Sequence, residues 1–206
     1  MRHGVIVIAV LATIVTLNAQ NGQGLPDVRR LYDAGKFKEV VGAVEESSDA
    51  ADDAAPRLLY LSGLSHEKLN EADAARRNYR GHADGGRPAW AAIGLSALAL
   101  MDKQLDDALA SAKQATERND TLSEAYYQRG IVQMTRREYG EAAGAFDRAI
   151  ALDPSFAAAH YYGGLAEYRA KRIDRMATHF EAFLKLAPNA PERPEVESIM
   201  RTVRGR

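Results

Sequence analysis

The sequence contains no cysteine. That excludes disulfides, thiol catalysis, cysteine-bound zinc and lipid attachment to a cysteine. Charge of one sign is missing too: 27 Lys and Arg stand against 28 Asp and Glu, a net charge of −1. No basic field argues for nucleic acid. Long apolar runs are scarce. The longest, Gly4–Leu17, has 14 residues, against the roughly 20 that a spanning helix needs. The five histidines are His3, His66, His82, His160 and His179. They form no HExxH pair and no i, i+4 pair on one helix. His160 and His179 are placed to approach each other across one helical pair, but catalytic zinc uses three protein ligands. There is no phosphate-binding GxxxxGK[ST] loop, no GxGxxG and no GxSxG. Gly85-Gly86 and Gly163-Gly164 are simple pairs. No catalytic residue, no metal and no cofactor is expected.

What is present begins with an export signal. Arg2 and His3 are a short basic start, and Gly4–Leu17 is apolar or small throughout. Leu17-Asn18-Ala19 ends the run on a small residue before the polar Gln20–Gly24. This is the layout of a secretory signal peptide over 1–19, cleaved after Ala19. The body is then periplasmic or secreted. An uncleaved membrane anchor is the alternative, and the only route to a membrane.

The rest is periodic. Ser123–Pro154 has two apolar-striped segments around a polar turn at Thr135–Glu138, closed by Asp153-Pro154. Tyr126 and Gly130 lie one turn apart on the first segment. Ala142, Phe146 and Ala149 follow i, i+4, i+7 on the second, small–large–small. Pro154 marks the stop. Stepping forward 34 residues takes Tyr127 to Tyr161, Gly130 to Gly164, Phe146 to Phe180 and Pro154 to Pro188. Stepping back 34 takes Ala142 to Ala108 and Tyr127 to Ile93, and a further 33 takes Ala108 to Ala75 and Ile93 to Tyr60. Asn119-Asp120 replaces the proline one unit earlier. The fifth unit departs from the fourth at His160, which replaces Tyr126, and at Met176, which replaces Ala142.

At these positions the sequence resembles the tetratricopeptide repeat family, whose unit is a helix–turn–helix of 34 residues. The resemblance implies an all-α, right-handed α-solenoid of about five repeats with a C-terminal capping helix. It also implies protein binding as the class of activity. The expected division is a divergent helical pair over 20–55, then repeats at 56–88, 89–122, 123–156 and 157–190. Residues 191–206 form the capping helix and a basic tail. Within these, Pro26–Ala34 and Phe37–Ser47 are the first pair, Ser48–Ala55 is a solvated acidic turn, and Glu195–Val203 follows a proline-rich break at Asn189–Pro194.

First helices line the concave face in that family. Here they give Tyr60, Leu64, Trp90, Ile93, Tyr127, Ile131, Tyr161 and Leu165, an apolar and aromatic lane. Two readings stay open. The lane is a groove for a peptide or partner helix, or it is packed under a chain terminus or the next superhelical turn. Family members that grip a C-terminal carboxylate use Lys and Asn on this lane. Tyr60, Leu64, Ile93 and Ala97 stand there instead, so a carboxylate clamp is not expected. The reading is an exported, non-enzymatic interaction scaffold for another protein or peptide. The alternative is a structural module of a cell-envelope complex held by the uncleaved anchor.

Overall fold

The structure is a computed structural model that describes residues 24–46 and 54–205. The expected signal segment, most of the acidic turn and Arg206 lie outside the described residues. Among the described residues there are eleven helices and no strand. They are α1 (Gly24–Asp33), α2 (Phe37–Glu46), α3 (Ala55–Lys68), α4 (Ala72–Asp84), α5 (Pro88–Met101), α6 (Leu105–Arg118), α7 (Ser123–Thr135), α8 (Tyr139–Leu152), α9 (Ala157–Arg169), α10 (Ile173–Leu186) and α11 (Arg193–Arg204). Consecutive helices pack as pairs, and each pair packs on the next. This is an all-α solenoid, as the periodicity predicts.

The turn inside each pair repeats one backbone device. Gly35, Asn70, Lys103, Arg137 and Lys171 all have positive φ, between 59° and 72°. Around each, two crossed hydrogen bonds close the helix end. At the fourth repeat Arg137 N–H donates to the Met134 carbonyl (3.0 Å) and Glu138 N–H to Gln133 (2.9 Å). The same pair of bonds recurs at Gly35–Lys36, Asn70–Glu71, Lys103–Gln104 and Lys171–Arg172. This is the Schellman ending, which satisfies carbonyls that a helix C-terminus leaves open. The junction between repeats also recurs. The Asn119 side chain accepts from Thr121 N–H at 3.0 Å, and Asp153 from Ser155 N–H at 3.0 Å. Asparagine thus does at 119 what the following unit does with Asp-Pro.

The core follows the same period. Ala75, Ala108, Ala142 and Met176 are all buried. Gly63, Gly130 and Gly164 sit against the rings of Tyr79, Phe146 and Phe180. A Cβ at any of them would lie 2.5–2.6 Å from a ring carbon. The third repeat solves the contact another way. Ser96 stands at the glycine position and Ala112 at the aromatic one, and Ser96 Oγ donates to the Ala108 carbonyl at 2.9 Å. Two boundaries differ from expectation. Pro88, expected to end the repeat at 56–88, opens α5, and Pro194 lies in the first turn of α11 rather than in a break. A first-turn proline loses no helical hydrogen bond, because that N–H has no partner within the helix anyway.

Candidate functional site

The lane residues lie on α3, α5, α7 and α9, with Tyr60, Leu64, Trp90, Ile93, Tyr127 and Ile131 in one apolar cluster and Tyr161 and Leu165 in the next. The lane is not an open trough. Tyr60, Ile93, Tyr127 and Tyr161 are buried, while Leu64, Trp90, Ile131 and Leu165 are half-buried. Three things cover them.

The first is a buried polar chain between neighbouring first helices. Tyr60 Oη donates to Gln128 Oε1 at 2.8 Å, and Gln128 Nε2 donates to Ser96 Oγ at 3.3 Å. Groups this deep cost free energy unless paired, so α3, α5 and α7 are held at one curvature. Trp90 packs between Tyr60 and His82, stacked on the imidazole at 5.3 Å. Burial pushes the His82 imidazole down to about 4, so it stays neutral near pH 7. Tyr127 contacts Phe146, Phe156 and Tyr162, with ring centroids 4.7–6.0 Å away.

The second is the N-terminal pair. It stacks on α3 as a repeat does, and the curl of the solenoid swings α1 against α9 and the end of α8. Val28 and Tyr32 pack with Leu58, Leu61, Leu64 and Ala158. Arg29 forms an ion pair with Asp153 and lies 4.4 Å above the Phe156 ring. It also faces Glu124 at 3.9 Å, and Arg57 Nε approaches the same carboxylate at 3.0 Å. Asp153 is half-buried, which alone would raise its pKa. Hydrogen bonds from Ser155 and the guanidinium of Arg29 hold it below the usual carboxylate range instead. Asp33, at the end of α1, is pushed up to about 6 by burial, with Asp153 and Glu192 adding to the push and Arg29 opposing it.

The third is the C-terminal end. Tyr161 Oη donates to Glu195 Oε2 of α11 at 2.8 Å. Lys68 of α3 pairs with Glu192 at 3.0 Å. Gly35 abuts Pro191 so closely that a Cβ would lie 2.8 Å from its Cδ. The first repeat therefore meets the last, and the concave face closes on itself. The crevice between Tyr32, Asp33, Lys68, Tyr161 and Tyr162 measures about 20 Å³, room for a water molecule and far below the ~300 Å³ of a small-molecule pocket.

His160 and His179 do meet, with ring centroids 5.8 Å apart, and His179 Nε2 lies 3.2 Å from Asp147 Oδ1. No group of three or more metal-ligating side chains occurs among the described residues. No described helix is long and apolar enough to cross a membrane.

Of the two readings the sequence left open, groove or lane packed under a chain terminus, the structure has the N-terminal pair packed against Leu64 and Ala158. Arg29, Gln128, Phe156 and Tyr162 complete the face and were not singled out, and Asp153 was read only as the end of a repeat unit. One signal was available: Arg29 stands at the edge of the apolar stripe of Val28, Leu31 and Tyr32, beside Tyr32. A cation at such a place asks for a buried anion opposite.

Comparison with known proteins agrees with the repeat pattern. Residues 92–155 and 127–191 match a family model described as Tetratricopeptide repeat. No curated protein matches the sequence. Among solved structures, a thermophilic tetratricopeptide-repeat protein of Thermus thermophilus, TTC0263, is similar at 19% identity and a TM-score of 0.60. The match covers 87% of this chain and 96% of that one. YrrB, described as a repeat protein with an unusual peptide-binding site, is similar at 15% identity and 0.52, covering 92% and 98%. The first repeat domain of Spaghetti (RPAP3), bound to the HSP90 peptide SRMEEVD, is similar at 17% and 0.54, covering 60% and 95%. At these identities the likeness is one of fold.

Proposed function

Starting from a chain that is a tetratricopeptide-repeat protein, we propose that it is an exported, non-enzymatic scaffold that binds a peptide or partner helix at its concave lane. The observation that carries the reading is the occupant already there. An amphipathic helix, α1, lies against that face through Val28, Arg29 and Tyr32. The face thus has the shape and chemistry to take a helix. Among similar structures, one is bound to a peptide and another is described by its peptide-binding site. Export rests on the basic start, the short apolar run and Ala19.

Two experiments test it. A photo-crosslinking residue is placed in native cells at Ile131 or Leu165, on the half-buried lane, and at Gln114, on the exposed side of α6. A protein adduct from the lane positions and none from Gln114 is expected. Equal labelling at all three, or none, would remove the lane as the binding face. Intact mass of the native protein is expected to show Gln20 at the N-terminus. A species retaining Met1–Ala19 would point to the anchored form.

A further inference from the structure

We propose that Glu124, Asp153 and Phe156 form an arginine seat, held at rest by the chain's own Arg29 and taken in the bound state by an arginine on a partner's amphipathic helix. This rests on the scaffold reading and adds the chemistry of the partner.

The seat has two carboxylates and one ring. Glu124 is 3% exposed, and a carboxylate that deep needs cations and hydrogen bonds around it. It has Arg57 at 3.0 Å, the Ser123 hydroxyl at 3.0 Å, and Arg29 at 3.9 Å. Asp153 binds Ser155 on one oxygen and Arg29 on the other. Phe156 is buried and offers its face to the guanidinium at 4.4 Å. A flat guanidinium can pair with a carboxylate along its edge and stack on a ring with its face. A lysine ammonium cannot do both.

The resident side chains define what a competitor must carry. Val28 precedes Arg29 by one residue and Tyr32 follows it by three, which places all three on one side of a helix. Tyr32 fits beside Leu64, Ala158 and Tyr161. A partner segment therefore presents an arginine with an apolar residue just before it and an aromatic residue one turn after. The two carboxylates disfavour an acidic segment. The resident is suited to leave. At ten residues α1 is shorter than helices that hold themselves together in water, and its ion pair with Asp153 is partly open to water.

The probe is a fluorescent synthetic peptide of residues 24–36, titrated into purified full chains. In the wild type the tethered helix competes at an effective concentration of about millimolar, so binding is weak. Arg29→Asp puts a third carboxylate into the seat and releases α1. That chain is expected to bind the peptide at least tenfold tighter than wild type. Lys38→Asp, the same charge change at an exposed site on α2, should not. A peptide carrying Arg29→Asp or Arg29→Lys should lose most of the gain. A folded Arg29→Asp chain that binds no better than wild type would overturn the proposal. So would dimers of the wild-type chain that the peptide dissociates, since the seat would then serve a second copy. If Arg29→Asp fails to fold, hydrogen exchange on the wild type reads the same event. Millimolar peptide should speed exchange in α1 and leave α8 unchanged, and no such change overturns the proposal. The scaffold reading fails separately: loss of lane crosslinking in cells, with peptide binding intact, would refute the native partner and not the seat.

Discussion

Gly130 is where the packing of this solenoid can be tested most sharply. A Cβ built there falls 2.6, 2.7 and 2.9 Å from three ring carbons of Phe146. Ordinary carbon contacts need about 3.5 Å or more, so the ring must retreat by roughly 1 Å. It has little room. Phe146 is fully buried, stacked on Tyr162 at 6.1 Å and tilted against Tyr127 at 5.9 Å. Gly130→Ala gains about 1 kcal/mol of helix propensity and costs about 1–3 kcal/mol in overpacking. The net expectation is a loss of about 1 kcal/mol, which lowers Tm by roughly 2–4 °C for a chain of this size. Gly144 is the control. It is exposed on α8 with nothing within 4 Å of a Cβ, so Gly144→Ala should raise Tm by a similar amount. Phe146→Leu combined with Gly130→Ala should recover part of the loss, as Ser96 and Ala112 do in the third repeat. Chemical and thermal unfolding of the four chains decide the matter. If Gly130→Ala and Gly144→Ala stabilise equally, glycine at 130 has no packing role and the reasoning fails.

Other outcomes follow from single positions. Lys103 holds a left-handed turn with φ 60° and an exposed side chain; Lys103→Gly should stabilise by about 0.5–1 kcal/mol in urea unfolding, because glycine adopts that conformation without strain. Gly35 and Gly86 both have positive φ, but only Gly35 faces a neighbour, Pro191. Gly86→Ala should cost about 1 kcal/mol for the backbone alone, and Gly35→Ala more, with faster hydrogen exchange in α1. Asp33 is raised to about 6 in the closed form from an ordinary 3.8. Its neutral form is therefore favoured by closure, a contribution complete below about pH 4 and lost as pH rises through 6. Asp153, held low, stays ionised over that window and keeps Arg29. Docking of α1 should strengthen by about 1–2 kcal/mol between pH 7 and pH 5, read as slower exchange in α1. Asp33→Asn should remove most of that dependence.

The repeats were legible because one backbone unit recurs with its glycine, its aromatic and its turn in place. Tyr127 to Tyr161 and Phe146 to Phe180 are steps that composition does not produce by chance. The positive-φ turns were not legible from residue type. Asn, Lys, Arg and Lys occupy them after Gly35, and only asparagine suits the conformation. The pairing of helices fixes those turns, so tertiary packing overrides local preference. The lane was legible as an apolar row, with groove and self-packed core both left open. Whether a row of Tyr, Ile, Leu and Trp faces a groove or a core depends on the curl summed over five repeats. That curl depends on contacts such as Tyr60 to Gln128, two repeats apart, which the pattern inside one repeat does not announce.

That same contact says which part of the closed face can move. Gln128 reaches α3 and α5 with its two amide ends, and its hydrogen bonds exist only at this curvature. Opening the solenoid between α3 and α7 would strand a buried amide and a buried phenol, a penalty of about 1–3 kcal/mol for each group left unpaired. The seam around α1 is made differently. Arg29 with Asp153, and Lys68 with Glu192, are partly solvated charges, which water and salt can satisfy when they part. The apolar share of that seam includes Val28 and Tyr32. Local opening takes the path that strands the fewest polar groups. The seam at α1 is that path, and it leaves α3, α5 and α7 in register to receive whatever replaces the helix.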